Sequence, residues 1–146
     1  QDHKNLLPIT FSYPTHYFAK PNKNKTQQYG TVIPGRKETY VFNNEKDYFE
    51  DYQKSYYGVT SKKAGWDCMR HYEIMGNYCL PYFPDMKDCP KNTLFNFPKE
   101  LIIEGTELAS NFDIDEYYRI LDSIYDYTKN NLTTKAIAQY IIDKVQ

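Results

Sequence analysis

A chain of 146 residues is long enough for one domain with a usable core and short for a self-sufficient two-domain enzyme. Its 18 Lys+Arg stand against 19 Asp+Glu, a net charge of −1, which speaks against broad electrostatic binding to nucleic acid or to an anionic membrane surface. A hydrophobic content of 40%, with 17% aromatic, excludes a disordered chain, and the 16 tyrosines each join a large apolar body to a polar tip.

In chain order, Leu6–Tyr13 reads as a short strand ending near Pro14, and Lys20–Lys25 as an exposed, solvated loop. Tyr29–Ile33 and Glu38–Phe42 are β-rich runs separated by the turn signal Pro34-Gly35. Asn43-Asn44 can cap a short helix over Glu45–Gln53, whose acidic start suits the helix dipole. Ser55–Thr60 is expected to be a strand, Ser61–Gly65 a turn, Trp66–Tyr78 a helix and Cys79–Phe83 the next strand. That succession over about thirty residues is the signature of a βαβ unit. After a Pro- and Asp-rich loop, Pro84–Pro90, a further strand is expected at Leu101-Ile102-Ile103. Two helices finish the chain. One starts at Asp113 or Asp115 and runs to about Thr128. The other is capped by Thr133 or Thr134, with Ile137, Tyr140, Ile141 and Val145 in an apolar stripe. Strands interleaved with helices predict an α/β layered, Rossmann-like domain over residues 1–146, with a mostly parallel sheet and C-terminal helices.

Cys68, Cys79 and Cys89 form no paired framework and fit no zinc spacing, which points to reduced thiols in a cytosol-like, cytoplasmic compartment. No run approaches the ~20 apolar residues of a membrane span. The start at Gln1 has neither an initiator Met nor the pattern of a signal peptide, so the expectation is a piece of a longer chain.

The helix expected from Trp66 carries the chemistry. Trp66, Arg70, Glu73 and Asn77 fall on one face at helical spacing, and Cys68, Tyr72, Met75 and Cys79 on the opposite, mainly apolar face. The second stripe should pack on the sheet and leave the first pointing outward or into a cleft. Lys62, Lys63 and Gly65 occupy the preceding turn. Lysine charge, free backbone N–H groups and a helix N-terminus together make an anion site, for which phosphate is the natural ligand. An arginine can pair with phosphate oxygens, and a carboxylate one turn into the helix can accept from ribose hydroxyls. Against this stands an ordinary Arg70–Glu73 salt bridge on the helix surface. His71 reads as a structural histidine, Asp67 as a dipole partner for the helix start, and Cys68 and Cys79 as core thiols. Lys-Lys-x-Gly is neither a Walker loop nor a three-glycine dinucleotide fingerprint, which disfavours a kinase-like or nucleotidyltransferase reading.

The string Lys62-Lys63-Ala64-Gly65-Trp66-Asp67-Cys68-Met69-Arg70-His71-Tyr72-Glu73-Ile74, followed by Cys79-Leu80-Pro81-Tyr82-Phe83, resembles the C-terminal half of exostosin-like glycosyltransferases, especially relatives in large DNA viruses and bacterial polysaccharide clusters. The likeness extends upstream to Tyr40-x-Phe42, Glu45, Tyr48, Tyr52 and Ser55, and downstream to Cys89-Pro90-x-Asn92-Thr93. The resemblance implies one half of a GT-B fold, the domain that holds a nucleotide-sugar donor for transfer to a glycan or protein acceptor. By that likeness Glu73 would bind the donor ribose or sugar, and Arg70 and Lys63 its diphosphate. Lys62, Gly65 and Trp66 would complete the site. Neither metal nor cofactor is implied, and an N-terminal domain would supply the acceptor site and general base. The alternative is a non-catalytic nucleotide-binding or scaffold domain of the same fold. The sequence departs from the pattern at Tyr78, where the family often has Gly, so the turn from helix to strand is expected to differ.

Overall fold

Two strand–helix–strand units share their middle strand in a computed structural model that describes residues 6–146. Strand β1 (Gln27–Tyr29) leads through helix α1 (Glu45–Gln53) to β2 (Ser55–Val59), which leads through α2 (Met69–Gly76) to β3 (Leu80–Tyr82). The strands lie in the order β1-β2-β3, all parallel, with Gln27 opposite Ser55, Tyr29 opposite Tyr57, and Tyr57 opposite Leu80. Helices α3 (Lys99–Leu108), α4 (Ile114–Asn131) and α5 (Thr134–Val145) complete an α/β layered fold.

Alternation along β2 assigns the layers. Tyr57, fully buried, sends its hydroxyl to the Gly105 carbonyl of α3 at 2.8 Å. The next residue, Gly58, faces α2 so closely that a Cβ would come within 2.7 Å of Ile74. Tyr52 of α1, Ile74 of α2 and Cys79 make a small buried cluster, while Tyr57, Leu80, Ile102, Tyr117 and Leu121 belong to the main core. Tyr72 and Met75 of α2 belong to the main core, Tyr72 against Phe97 and Met75 with its Sδ 3.6 Å from Thr128 Oγ1 of α4.

Helix α4 closes the amino end of the sheet. Its Tyr117 hydroxyl donates to the carbonyl of Tyr56, its Tyr118 hydroxyl to that of Lys23, and its Asp122 accepts from Tyr78 just before β3. Lys25 lies at the same end, buried rather than in the solvated loop expected from sequence. Its ammonium donates to the carbonyls of Gln53 and Tyr78, at the carboxyl ends of α1 and α2, where a cation suits both dipoles. Desolvation pushes its pKa down to about 8.

The caps behave as the sequence predicts. Asn44 accepts from Asp47 N–H, Asp113 from Glu116 N–H and Thr133 from Ala136 N–H. At the end of α2, Tyr78 adopts the left-handed conformation (φ 54°) that glycine would take, with Tyr78 N–H bonded to Met75 O and Cys79 N–H to Ile74 O. The turn therefore has the glycine-type geometry, and burial of the Tyr78 ring edge-on to Tyr125 at 5.3 Å offsets a backbone cost of about 1–2 kcal/mol.

Five further expectations need correction. Leu6–Tyr13 is no strand: a lone bridge joins Tyr13 to Thr133, and the segment lies along α5, with Pro8 O accepting from Tyr140. The β-rich run at Tyr29–Ile33 enters the sheet only at Tyr29, because Asp51 takes the Thr31 N–H. Glu38–Phe42 contains a 3-10 turn, Lys37–Thr39, in which Thr39 Oγ1 bonds to Arg36 O and accepts from Ile33 N–H. That local side-chain bonding competes with any strand ladder. Leu101–Ile103 lies in α3, only Ile102 of the three being fully buried; an apolar run this short carries no period. On α5, Ile137 is buried but Ile141 and Val145 of the expected stripe are exposed.

Gly76 is required by close approach. A Cβ there would sit 2.4 Å from Cε1 of buried Tyr13, whose backbone is held by Leu132 and Thr134. Gly76→Ala gains about 1 kcal/mol of helix propensity against an overpacking cost of about 1–3 kcal/mol. Net destabilisation is expected, read as a lower urea midpoint at unchanged m-value.

Candidate functional site

With α4 across the amino end, the carboxyl end of the sheet stays open, where the loops after β1 and β2 meet the N-termini of α1 and α2. In parallel α/β sheets this is where ligands sit. Two adjoining clefts are found there. The first, of about 460 Å³, is lined by Val32, Tyr40, Phe42, Asn43, Asn44, Glu45 and Phe49. The second, of about 360 Å³, is lined by Ser61, Lys63, Ala64, Gly65, Asp67 and Cys68. Tyr48, Arg70 and Glu73 line both and form the wall between them.

Helix α2 begins at Met69, three residues later than the spacing suggests, so of the stripe Trp66, Arg70, Glu73 and Asn77 only Arg70 and Glu73 reach the clefts. Asn77 is buried, donating to Glu73 O and accepting from Gln53. Arg70 and Glu73 do not form the surface salt bridge that their spacing allows. Among the described residues Arg70 makes no ion pair, and its Nε is shielded from solvent without an acceptor. Its guanidinium lies 6.0 Å from the centre of the Tyr40 ring. A half-buried cation in that condition has unused donors facing two cavities.

Glu73 is held differently. Its Oε2 accepts from the Tyr48 hydroxyl at 2.6 Å, and Tyr48 is in turn bonded to the Tyr52 hydroxyl at 3.1 Å. Desolvation raises the Glu73 pKa above the ordinary 4.5, opposed by the Tyr48 hydrogen bond and by the Arg70 charge. Burial pushes the Tyr48 hydroxyl up as well, so it stays a donor at neutral pH.

The other residues singled out from sequence divide. Lys63 and Gly65 line the second cleft beside Arg70 and Glu73. Lys62 and Trp66 lie elsewhere: Lys62 N–H donates to Asp85, its ammonium lies over the Trp66 ring at 5.8 Å, and Trp66 leans on Phe83. His71 is structural, as expected. Its Nδ1 meets Thr60 Oγ1 at 2.8 Å and its Nε2 the Trp66 carbonyl at 2.7 Å, and burial lowers its pKa. These bonds pin both ends of the loop that carries Lys63. Asp67 does not serve the helix start; it accepts from Phe11 N–H and from the Tyr72 hydroxyl. Burial pushes the Cys79 thiol up to about 12, consistent with a core thiol, whereas Cys68 is half-buried at the N-cap of α2 and lines the second cleft.

No family model, curated protein or solved structure matches this chain. The likeness to exostosin-like enzymes therefore rests on the residues themselves. Among the described residues no group of three or more His, Cys, Asp or Glu is placed to hold a metal ion, and no helix is long and apolar enough to cross a membrane.

The aromatic first cleft escaped the sequence reading. A signal for it exists, since β1 followed by the Asn44-capped α1 repeats the strand–loop–helix pattern that marked the second cleft. Reading Tyr29–Phe42 as two β-rich runs around a turn concealed it.

Proposed function

We propose that this chain is the donor-binding domain of a glycosyltransferase, one Rossmann-like half of a GT-B enzyme that holds a nucleotide-sugar for transfer to a glycan or protein acceptor. The observation that carries this reading is Arg70: a half-buried guanidinium with no ion pair among the described residues, set between two clefts at the carboxyl end of a parallel sheet. An anionic ligand supplies the acceptors it lacks, and Lys63 adds a second positive charge on one side. Of the Gly65–Glu73 stretch that carries the likeness to exostosin-like enzymes, Gly65, Asp67, Cys68, Arg70 and Glu73 line the second cleft. In this role Arg70 and Lys63 bind the diphosphate and stabilise it as the leaving group, and Glu73 accepts from sugar or ribose hydroxyls. The general base and acceptor site belong to another domain.

A thermal-shift screen against UDP-, GDP-, ADP- and CMP-linked sugars and the free nucleotides tests this, because a ligand that binds only the native state raises its stability by mass action. Stabilisation by one nucleotide family, insensitive to Mg²⁺ and lost in Glu73→Ala, is the expected result. No shift with any of them sinks the reading.

Acidity gives a second check. Glu73 accepts hydroxyl donors most strongly when ionised, and its pKa is raised, so affinity is expected to fall on acidification at a higher pH than an ordinary carboxylate would impose. Glu73→Gln should bind more weakly at neutral pH and keep only the pH dependence of the ligand's own phosphate. Parallel pH profiles for the two proteins would exclude Glu73 from the site.

A further inference from the structure

Apolar surface is also left uncovered outside both clefts, on α5 and the segment beside it. Ala138, Ile141, Ile142 and Val145 recur at the i, i+3, i+4, i+7 spacing that marks a packed helix face, yet all four are exposed, Val145 at 75%. Pro8 O accepts from Tyr140 and Tyr13 N–H donates to Leu132 O, so the N-terminal segment runs antiparallel to α5. It carries Leu6, Leu7 and Ile9 toward the last turns of the helix, each at least half exposed. Together these side chains present roughly 700 Å² of surface, close to the ~800 Å² that each partner of a stable complex buries. Few monomers leave so large an apolar area in water.

Charge and symmetry select the partner. The stripe holds no charged residue, and the neighbouring charges are engaged elsewhere: Asp143 accepts from Gln139, and Lys144 lies over the Tyr140 ring. A strongly charged partner would find nothing to pair with. A second α5 laid antiparallel matches the stripe to itself. About a two-fold axis between residues 141 and 142, Ile141 meets the partner's Ile142, and the small Ala138 meets the partner's Val145. Lys135, one heptad before Ile142, would stand about 20 Å from its counterpart along the paired helices, beyond the screening length. We propose that this face is the interface of a two-fold symmetric homodimer, built on antiparallel α5 helices and flanked by the two N-terminal segments. None of its residues lines either cleft, so both sites stay open in the pair and pairing does not depend on what they bind.

Sedimentation velocity from about 2 to 200 µM tests this, on the parent, Ile142→Glu, Ile142→Lys and an equimolar mixture of those two variants. Circular dichroism and melting temperature confirm the fold of each; Ile142 is 46% exposed, so neither change disturbs the core. The parent is expected to be dimeric at the upper end of that range. Each variant alone sets like charges face to face near the axis, and should raise the dissociation constant at least about tenfold. Mixed, the two variants should pair again, because residue 142 meets its own counterpart across the axis. A parent that stays monomeric overturns the homodimer, and its flotation with phosphatidylcholine vesicles would then give the face to a lipid surface. A dimer that persists in both variants puts the interface elsewhere, and variants that stay monomeric when mixed show that α5 does not pair with itself; either result overturns the homodimer as drawn.

Discussion

Arg70→Ala is expected to weaken nucleoside diphosphate binding by roughly a hundredfold or more, with little change in the stability of the unliganded protein. Two hydrogen bonds from a cation to phosphate oxygens contribute about 1.5–3 kcal/mol each, and each 1.4 kcal/mol is tenfold in affinity. The stability side follows from what Arg70 lacks. It makes no ion pair among the described residues and its Nε has no acceptor, so truncation breaks no ion pair and removes a half-buried charge. What remains is the contact of its guanidinium with the Tyr40 ring, and a loss within about 1 kcal/mol is expected for such a change. Arg70→Lys keeps the charge but not the planar fork, and an intermediate loss of affinity is expected. Lys62→Ala is the internal control: its ammonium lies over Trp66 and the residue lines neither cleft, and affinity should stay within about twofold of the parent. A calorimetric series on the four proteins decides the matter. Equal affinity in parent and Arg70→Ala would remove Arg70 from the site, and a large loss of melting temperature would make it a structural residue.

The contrast between Arg70 and Lys62 also shows what was legible from sequence. The β2–α2–β3 unit was readable because apolar periodicity and glycine spacing both survive there, and because α2 meets the sheet through Ile74 over Gly58. Placement of Arg70 and Glu73 at one face of that helix followed directly. Lys62 and Trp66 were grouped with them by extending helical spacing to residue 66. Trp66 instead lies in the loop, where its carbonyl is taken by His71 Nε2. That bond joins residues five apart through a side chain, which no periodicity reports. The same holds for Lys25, whose burial depends on two helix ends converging from distant parts of the chain. Capped helices were the most readable elements, since Asn44, Asp113 and Thr133 act on their own next turn. Strand β1 was the least readable, because a three-residue strand exists by virtue of its partner β2. The first cleft inherits that difficulty. Apart from Arg70 and Glu73, its walls come from residues 32–49, folded by a threonine-bonded 3-10 turn and a buried aspartate rather than by a repeating pattern.

That aspartate yields the largest expected effect on folding. Asp51 is 3% exposed and lies in the last turn of α1, where a negative charge opposes the helix dipole. It is retained because of what it accepts: Thr31 N–H at 2.7 Å, the Thr31 hydroxyl at 2.8 Å and Gln27 Nε2 at 2.9 Å. Asp51→Ala removes the acceptor of the Thr31 N–H and hydroxyl and one acceptor of Gln27 Nε2, which keeps its bond to Ser55 Oγ, while Thr31 is exposed and regains water. Hydrogen bonds to a charged group contribute about 1.5–3 kcal/mol each, and an orphaned buried donor costs about as much. The sum overstates the loss, because neighbours relax and the exposed Thr31 groups regain water, and about 2–4 kcal/mol is expected. Against a total of about 5–15 kcal/mol for a domain, this lowers the melting temperature by about 10 °C or more. The effect reaches the site. Thr31 precedes Val32, a wall of the first cleft, and Ile33, whose N–H is held by Thr39 in the turn that leads to Tyr40. Asp51→Asn is the informative variant, since it keeps the shape and one oxygen while losing the charge. It should fold with a smaller loss of stability and bind nucleotides more weakly than the parent at temperatures where both are fully native. Full affinity in Asp51→Asn, together with a melting temperature within a degree or two of the parent, would show that the charge on this buried carboxylate does not hold the cleft.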